Sequence, residues 1–325
     1  AFGGRLRCSL GLAFAGVGLQ HTARHGQLRF SQRVACGPVH FYNISKSVIG
    51  MIQIFLQFIR HYLLAVQFFT RIPVTGKLAE WVGFSPAMLR ASAAHFPGVG
   101  WLVGASSAVV LWGLVWALPE VSASSWVAAV LCTVFGVMLT GAFHEDGLAD
   151  TADGLGGSLN RERALDIMKD SRVGTYGALA LVLIVFSKVS LLALLLQWSA
   201  WQAVLAVFGA HVLSRFMPLF IIRSLPHVGD TQQSKSKPLA DQIGNSSLLA
   251  AAVWAGLALA LLYALVPGMP WWAGVLGAMV ALGYMLRLLK RRLAGFTGDG
   301  LGATQQLCEV AFYFGLVVAL PLAHA

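Results

Sequence analysis

Long apolar stretches constrain this chain more than any other feature of its sequence. Each run is about 20 residues long and contains at most one charged side chain, enough for a helix to cross the hydrocarbon core of a bilayer. The runs lie at 100–118, 125–143, 177–197, 203–222, 248–266, 271–286 and 304–322. They are continuous and do not alternate with polar residues, which argues against a transmembrane β-barrel. The pattern predicts an all-α, polytopic membrane helix bundle with about seven spanning helices.

The overall composition agrees with a membrane protein. Hydrophobic residues make up 57% of the chain and charged residues only 11%, and the mean hydropathy is +0.72, well outside the range of soluble domains. The four cysteines are scattered and include no CxxC pair. The sequence therefore indicates neither a disulfide framework nor a zinc site.

The first 50 residues differ from the rest, since they hold six basic residues and no acid. Such a segment is either a targeting sequence or upstream sequence translated in error, because Met51 opens a plausible natural start. We favour the second reading. We expect 1–50 to be a basic N-terminal extension that is disordered or an over-extended start, and 51–325 to be one integral-membrane domain. The basic charge of this segment gives no indication of a nucleic-acid partner.

Lysine and arginine residues near the ends of the runs predict the orientation. They are concentrated in alternate connections, 71–95, 144–176, 223–247 and 287–303, whereas the links 119–124, 198–202 and 267–270 carry none. The basic connections are therefore expected on the cytoplasmic side and the C-terminus outside. The stretch 51–70 has Arg60 and His61 at its centre, and we expect an interfacial or re-entrant amphipathic helix there.

The stretch "GAFHEDGLADTADGLGGS", 141–158, concentrates acids directly after an apolar run. Seven of the thirteen acidic residues of the chain lie between 145 and 170. If the stretch continues the preceding helix, Asp146, Asp150 and Asp153, at i, i+4 and i+7, share one face. Like charges on one face repel each other unless a cation lies among them. The alternative is a solvated or salt-bridged acidic face.

A second pair of acids, Asp166 and Asp170, lies beyond a glycine-rich turn. Two antiparallel helices would bring both groups of carboxylates together. Oxygen-only ligands suit Mg²⁺ or Mn²⁺, and a pair of such ions suits in-line phosphoryl displacement. We expect metal binding here.

Next comes "DSRVGTYGAL", which places Ser171, Arg172 and Thr175 at the start of a spanning helix. Free backbone amides and the helix dipole there favour an anion, and arginine suits bidentate phosphate binding. The alternative is an ordinary glycine-containing helix start with a positive-inside arginine.

Charged residues inside the runs are costly and usually face a cavity or one another. Lys188, Arg215 and Glu309 are such residues. They either form an internal ion pair, such as Lys188 with Glu309, or line a polar cavity beneath the acidic stretch. On the same side, Lys235 and Lys237 could meet phosphates.

Two further positions on that side are candidate ligand contacts. Asp299 lies among glycines in "GDGLGA", where the backbone can approach a ligand closely, although a flexible turn explains the glycines equally well. His95 precedes "FPGVGWLVG" and is either a ligand contact or an ordinary interfacial histidine.

Taken together, these motifs resemble those of the cobalamin synthase family, the adenosylcobinamide-GDP ribazoletransferases or cobalamin-5′-phosphate synthases. The likeness covers about residues 51–322 and rests on the order of the motifs "FFTRIPV", "HFPGVGWLVG", "FHEDGLADTADG", "DIMKDSRVGTYG", "HVLSRFMP" and "GDGLGA". Glu145 departs from the pattern, since an apolar residue is expected at its position. Residues 1–50 match nothing in it.

The resemblance implies a Mg²⁺-dependent phosphotransferase of the cytoplasmic (inner) membrane, with its active site facing the cytoplasm. Such an enzyme transfers the adenosylcobinamide-phosphate moiety of adenosylcobinamide-GDP to the 5′ end of α-ribazole or α-ribazole 5′-phosphate and releases GMP. The implied partners are these substrates and the lipid bilayer. A homo-oligomer or an association with other corrinoid-pathway enzymes remains open.

On this reading, functional roles fall on specific residues. Asp146, Asp150, Asp153 and Asp166 hold Mg²⁺. Asp170 is the base, and Arg172, Lys188 and Arg215 neutralise the pyrophosphate. The expected substrate contacts are His95, Ser171, Thr175, Lys235, Lys237 and Asp299.

Two other functions can be compared with the sequence. A CDP-alcohol phosphotransferase of phospholipid synthesis would use similar chemistry, but its motif needs an Ala-Arg pair where this chain has "GLGGS". A cation transporter would need polar sites near mid-membrane that connect both faces, whereas these acids gather on one side.

Overall fold

The computed structural model describes residues 39–229 and 243–323, with side chains over 50–229 and 243–321. Within those ranges the only β contact is an isolated bridge between His227 and Phe296, which confirms the all-α prediction. Two units are distinguished, Ala1–Ile49 and Gly50–Ala325, and every contact discussed below lies within the second. The exclusion of residues 1–50 from the fold stays a prediction, and Lys235 and Lys237 lie outside the described residues.

The described helices follow one another with short connections, and a 3₁₀ turn, Ala93–His95, joins α3 to α4. In chain order they are α1 (Val39–Phe69), α2 (Gly76–Val82), α3 (Pro86–Ser92), α4 (Phe96–Ala117), α5 (Ser122–Thr140), α6 (Phe143–Gly157), α7 (Arg161–Met168), α8 (Thr175–Trp198), α9 (Ala200–Phe216), α10 (Pro218–Ser224), α11 (Asn245–Leu265), α12 (Trp271–Leu293) and α13 (Gly298–Ala323).

Eight segments of the described chain are long and apolar enough to cross a membrane, which confirms a polytopic bundle. They are Gly50–Phe69, Pro86–Ala117, Ser122–Thr140, Thr175–Trp198, Ala200–Ser224, Asn245–Leu265, Trp271–Leu293 and Gly298–Pro321. All seven predicted runs overlap one of them. The additional segment is Gly50–Phe69, which meets the same criteria, so its interfacial or re-entrant placement stays a prediction.

The charge at the centre of that first segment has partners in the fold. Arg60 donates from Nε to the carbonyl of Val82 at 3.1 Å, and its guanidinium lies 5.7 Å from the centre of the Trp81 ring. Both partners belong to α2, which therefore packs beside α1. The charge at the centre of this apolar segment is therefore partnered by α2.

Helix α9 forms the centre of the bundle, since every residue from Ala203 to Arg215 is buried. Helix α4 crosses it at two glycines. A Cβ atom on Gly100 would come within 2.6 Å of the His211 carbonyl oxygen, and one on Gly104 within 2.9 Å of the Phe208 carbonyl oxygen. Small residues that let backbones approach in this way are typical of membrane helix packing.

The acidic stretch does not continue the preceding span, and that part of the sequence prediction is wrong. Helix α5 ends at Thr140, and a two-residue turn follows in which Gly141 and Ala142 both have positive φ angles, 68° and 60°. The side chain of Arg71 fills the space where a Cβ of Gly141 would lie. A glycine in the left-handed conformation is a common helix terminator, and α6 begins anew at Phe143.

Candidate functional site

The acids of α6 lie on one face of that helix but differ in exposure. Asp146 is exposed, Asp150 is half-buried, and Asp153 is buried. Spacings of four and three residues in a single helix place the three on one side. The face therefore runs from open solvent at the start of α6 to a packed environment near its end.

A fourth carboxylate joins this face from α13. Helix α6 packs against the start of α13 at Gly147, where an added Cβ would lie 2.9 Å from the carbonyl oxygen of Asp299. A Cβ on Gly302 would lie 3.2 Å from the carbonyl oxygen of His144. The glycines of "HEDG" and "GDGLG" therefore permit one close helix contact, which brings Asp299 beside the α6 acids.

The electrostatics of Asp150 reflect this crowding of like charges. Partial burial, and then the negative charges of Asp146, Asp299 and Asp153, raise the pKa of Asp150 to about 7. Burial and neighbouring negative charges both disfavour the ionised form of a carboxyl. Asp146, Asp150 and Asp299 form what we call the acidic triad.

The chemistry of the acidic triad fits a hard divalent cation, because all its donors are carboxylate oxygens. Its geometry is not yet that of a closed metal site. Among the described residues, no group of three or more His, Cys, Asp or Glu side chains is arranged to hold one ion. Because Asp146 is exposed and Asp150 half-buried, these two side chains have room to rotate.

Asp153, the α6 aspartate outside the acidic triad, has a different environment. Its carboxylate accepts hydrogen bonds from the backbone amides of Gly174 at 2.7 Å and Gly177 at 2.8 Å. These amides belong to the first turn of α8, where the helix dipole favours a negative charge. An added Cβ on either glycine would come within 2.4 Å of the Asp153 carboxylate. Asp153 therefore caps α8.

This contact changes the reading of "DSRVGTYG" as a phosphate site with free amides. Two amides at the start of α8 are occupied by a carboxylate of the protein itself. Ser171, Arg172 and Thr175 are exposed. The sequence shows that a helix begins there, but it cannot show that an acid 21 residues upstream reaches its amides. The sequence predicts an anion at this helix start, and in the structure that position is taken by the carboxylate of Asp153.

Replacing Asp153 by asparagine should destabilise the protein by about 2 kcal/mol, because one of the two α8 amides would then face an NH₂ group. Thermal unfolding of the purified protein, followed by tryptophan fluorescence, measures this change. Asp166→Asn is the matched control, since Asp166 is exposed and lies 3.9 Å from Lys169. Equal stability of the two variants would contradict the capping role.

Asp166 and Asp170 do not join the acidic triad. Asp166 lies on the exposed side of α7. Asp170 accepts hydrogen bonds from Arg172, with Nε lying 2.9 Å from Oδ1 and 3.1 Å from Oδ2. The hydrogen bonds from Arg172 hold the pKa of the exposed Asp170 carboxyl at about 2. Asp170 is therefore ionised at neutral pH but is a weak base while this pair persists.

Two arginines that the sequence marked only as positive-inside residues hold the α6–α7 turn. Arg292, near the end of α12, donates to the carbonyls of Leu155 at 2.8 Å and Ser158 at 2.6 Å. In return, Arg161 of α7 donates to the carbonyl of Leu293 at 2.6 Å. Unpaired carbonyls at a helix end need such donors. The end of α6 is thus fixed to α12.

A buried polar network lies within the bundle behind α6. Its centre is the ion pair between Lys188 of α8 and Glu309 of α13, at 2.5 Å, with side-chain exposures of 8% and 1%. Gln305 donates to Glu309 at 2.8 Å and to Ser214 at 2.9 Å. The internal Lys188–Glu309 pair that the sequence left as one alternative is therefore present.

The same network contains Glu145, which stands where the sequence resemblance leads us to expect an apolar residue. Glu145 is 8% exposed and accepts a hydrogen bond from Gln306 of α13 at 3.0 Å. Gln306 also donates to Gln305 at 2.9 Å. Polar residues spaced three and four apart inside an apolar run, here Gln305, Gln306 and Glu309, were the available signal for this network.

Arg215 of α9 is also buried and committed to internal partners. Its Nη1 donates to Nδ1 and to the carbonyl oxygen of His211, both at 3.0 Å. It borders a cavity of about 40 Å³ whose walls are mostly aromatic, including Phe69 and Phe296. That space holds a few water molecules at most and is too small for a nucleoside.

His95 lies in an aromatic cluster. Trp254 donates to its Nδ1 at 3.4 Å, and the Phe58 ring centre lies 4.5 Å from the His95 ring centre in an edge-to-face arrangement. His95 is 3% exposed. The structure therefore gives His95 a packing role between α1, α4 and α11, and a ligand contact there stays a prediction.

Comparison with known proteins identifies the relatives of this chain. Residues 61–317 match the family model described as cobalamin-5-phosphate synthase. An adenosylcobinamide-GDP ribazoletransferase of Albidiferax ferrireducens is 59% identical over 278 residues, which cover 81% of this chain and 99% of that protein. No solved structure gives a significant match.

More distant relatives carry the same name. The adenosylcobinamide-GDP ribazoletransferase of a Polaromonas species is 56% identical over 81% of this chain and 98% of its own length. That of Vibrio cholerae is 42% identical over 80% of this chain and 94% of its own length. These matches confirm the resemblance drawn from the motifs. The chain therefore belongs to the cobalamin-5-phosphate synthase family.

Proposed function

We propose that this protein transfers the adenosylcobinamide-phosphate moiety of adenosylcobinamide-GDP to the 5′ end of α-ribazole or α-ribazole 5′-phosphate. GMP leaves, and adenosylcobalamin or its 5′-phosphate forms. The observation that carries the proposal is family membership, with relatives named adenosylcobinamide-GDP ribazoletransferase that match over nearly their full length. The protein acts here as a transferase of cobalamin biosynthesis.

The acidic triad is our candidate for the Mg²⁺ site, with Mn²⁺ as the alternative ion. A divalent cation bound there would neutralise negative charge on the pyrophosphate that is cleaved. Asp146, Asp150 and Asp299 supply the oxygens. The clustering of three carboxylates, in which burial and the charges of its neighbours raise the pKa of Asp150, supports this assignment. Asp153 lies behind them as the cap of α8, and Asp166 lies apart from them.

Of the remaining candidate residues, Arg172 and Asp170 are placed to act on the substrate, whereas Lys188 and Arg215 are not. Arg172 is exposed and beside Asp170, so it can turn from that carboxylate to a phosphate group. This movement would also remove the hydrogen bonds that depress the pKa of Asp170 and so make Asp170 a better base for the attacking hydroxyl. Direct neutralisation by Lys188 or Arg215 would require each to leave its buried partner. We therefore place these two behind the site.

We further propose that the site faces the cytoplasm from the inner membrane. Basic residues lie at the same end of the bundle as the acidic triad, including Arg71, Arg161 and Arg292. The opposite connections between α4 and α5, α8 and α9, and α11 and α12 carry no lysine or arginine. This asymmetry is typical of cytoplasmic loops.

Incubation of the purified protein with adenosylcobinamide-GDP, α-ribazole and Mg²⁺ should release GMP, because the pyrophosphate is broken as the new phosphoester forms. GMP is measured by chromatography. A parallel reaction with α-ribazole 5′-phosphate determines which acceptor is preferred. The same mixture with EDTA should release none. Absence of GMP with both acceptors would contradict the proposed function.

A further inference from the structure

Glu145 is a buried carboxylate at the start of a helix whose next acid, Asp146, is exposed. Only 8% of Glu145 is accessible, and it belongs to the first turn of α6. Its Oε1 accepts the hydrogen bond from Gln306, while its Oε2 has no hydrogen-bond partner among the described residues. A carboxylate in such a place is costly unless opposite charges lie near it.

The opposite charges are those of the buried polar network. Glu145 interacts electrostatically with both Lys188 and Arg215, while the other acid of the network is Glu309. Two cations and two anions therefore balance within the bundle. Removing the charge of Glu145 leaves two buried cations opposite one buried anion.

A continuous chain of hydrogen bonds joins Glu145 to the centre of the bundle. Gln306 donates to Glu145 and to Gln305, and Gln305 donates to Glu309, which pairs with Lys188. This chain connects α6 through α13 to α8. The first turn of α6 is thus fixed by a directional contact in addition to apolar packing.

Helical geometry links this contact to the acidic triad. Successive residues of an α-helix are rotated by about 100°, so Asp146 and Asp150 project well away from the direction of Glu145. Glu145 points into the bundle, whereas Asp146 is exposed and Asp150 half-buried. A rotation of α6 about its axis would turn them away from Asp299.

We propose that Glu145 is a positioning residue of the transfer reaction, which holds α6 at the rotation that presents Asp146 and Asp150 beside Asp299. Its contact with Gln306 sets that rotation, and its charge balances Lys188 and Arg215. The inference rests on the proposed function, because the effect is read through GMP release.

A charge exchange between the two contacting residues tests the proposal. Glu145→Gln removes the buried charge, and Gln306→Glu adds a second one beside Glu145. The double variant E145Q/Q306E restores two cations and two anions and reverses the direction of the hydrogen bond. Each protein is purified in detergent, and kcat, KM for α-ribazole and the Mg²⁺ concentration for half-maximal rate are measured.

Each single variant should lower kcat by about 10- to 100-fold, the effect of a small misplacement of reacting groups, and raise the Mg²⁺ requirement. KM for α-ribazole should stay within about twofold, because Glu145 is buried within the protein and leaves little surface for a nucleoside to contact. The double variant should recover most of kcat. Glu162→Gln, the same change at an exposed glutamate, should leave all three quantities unchanged.

Two results would overturn the proposal: wild-type kcat and Mg²⁺ requirement in Glu145→Gln, or a double variant no more active than the worse single variant. If Glu145→Gln cannot be recovered folded, Gln306→Asn shortens the donor without changing any charge. It should lower kcat several-fold, and an unchanged kcat would again overturn the proposal. Failure of the wild-type protein to release GMP would refute the proposed function instead.

Discussion

Replacing Asp150 by asparagine should reduce GMP release by at least about 1000-fold while leaving the protein folded. Asp150 is the central carboxylate of the acidic triad, and its loss removes a charge that the pyrophosphate chemistry needs. The same change relieves repulsion from Asp146 and Asp299. In EDTA, the variant should therefore unfold at a higher temperature than the wild-type protein. GMP release and thermal unfolding, measured on one preparation, check both expectations.

Two further variants sharpen that result. Glu162→Gln is the control for the removal of an acidic charge from the same region, and it should retain full activity. Asp166→Asn distinguishes two proposed ligand sets, because the sequence predicts Asp166 as a metal ligand and the acidic triad does not include it. A large loss of activity in Asp166→Asn would return Asp166 to the metal site. Near-normal turnover in Asp150→Asn would contradict the metal proposal.

The spanning helices were predictable because their signal is long and strong. Each apolar run is longer than an ordinary buried helix, so the position of each spanning helix along the chain can be predicted directly. The break before α6 was less visible, although Gly141 is a recognised stop signal. A run of apolar residues that continues to Phe143 hides the turn, because the left-handed conformation of Ala142 has no signature in the sequence.

The acids were found by composition, but their roles depend on tertiary contacts. Spacing placed Asp146, Asp150 and Asp153 on one face, yet it could not show that α8 begins against Asp153. Likewise, the pair Asp166 and Asp170 has helical spacing, but α7 ends at Met168, so Asp170 lies beyond the helix, and Asp166 faces solvent. Periodicity in the sequence shows which residues share a helix face, but it does not show which other elements pack against that face.

Glu145 illustrates the same limit from the other direction. From the sequence it stands out only because an apolar residue is expected at its position. The side of α6 that carries Glu145 meets Gln306 of α13, a residue 161 positions further along the chain. Only the packed structure shows that Glu145 is buried while Asp146, the next residue, is exposed.

Replacing Glu309 by glutamine should destabilise the protein by about 3–5 kcal/mol, because Lys188 would keep a buried charge without its partner. Both side chains are almost fully buried, so water cannot compensate. The free energy of unfolding in detergent, followed by tryptophan fluorescence, measures the loss. Asp166→Asn makes the equivalent acid-to-amide change in an exposed pair, where about 0.5 kcal/mol is expected.

The double variant Lys188→Met/Glu309→Gln distinguishes a charge effect from a packing effect. It removes both charges together, leaves Arg215 balanced by Glu145, and keeps an acceptor for Gln305. Buried ion pairs can often be replaced by neutral groups at little cost, so the double variant should be more stable than Glu309→Gln. If the two are equally unstable, the pair matters through shape alone. If Glu309→Gln is as stable as the wild type, the charge of Lys188 must be accessible to solvent, which would contradict a buried polar network.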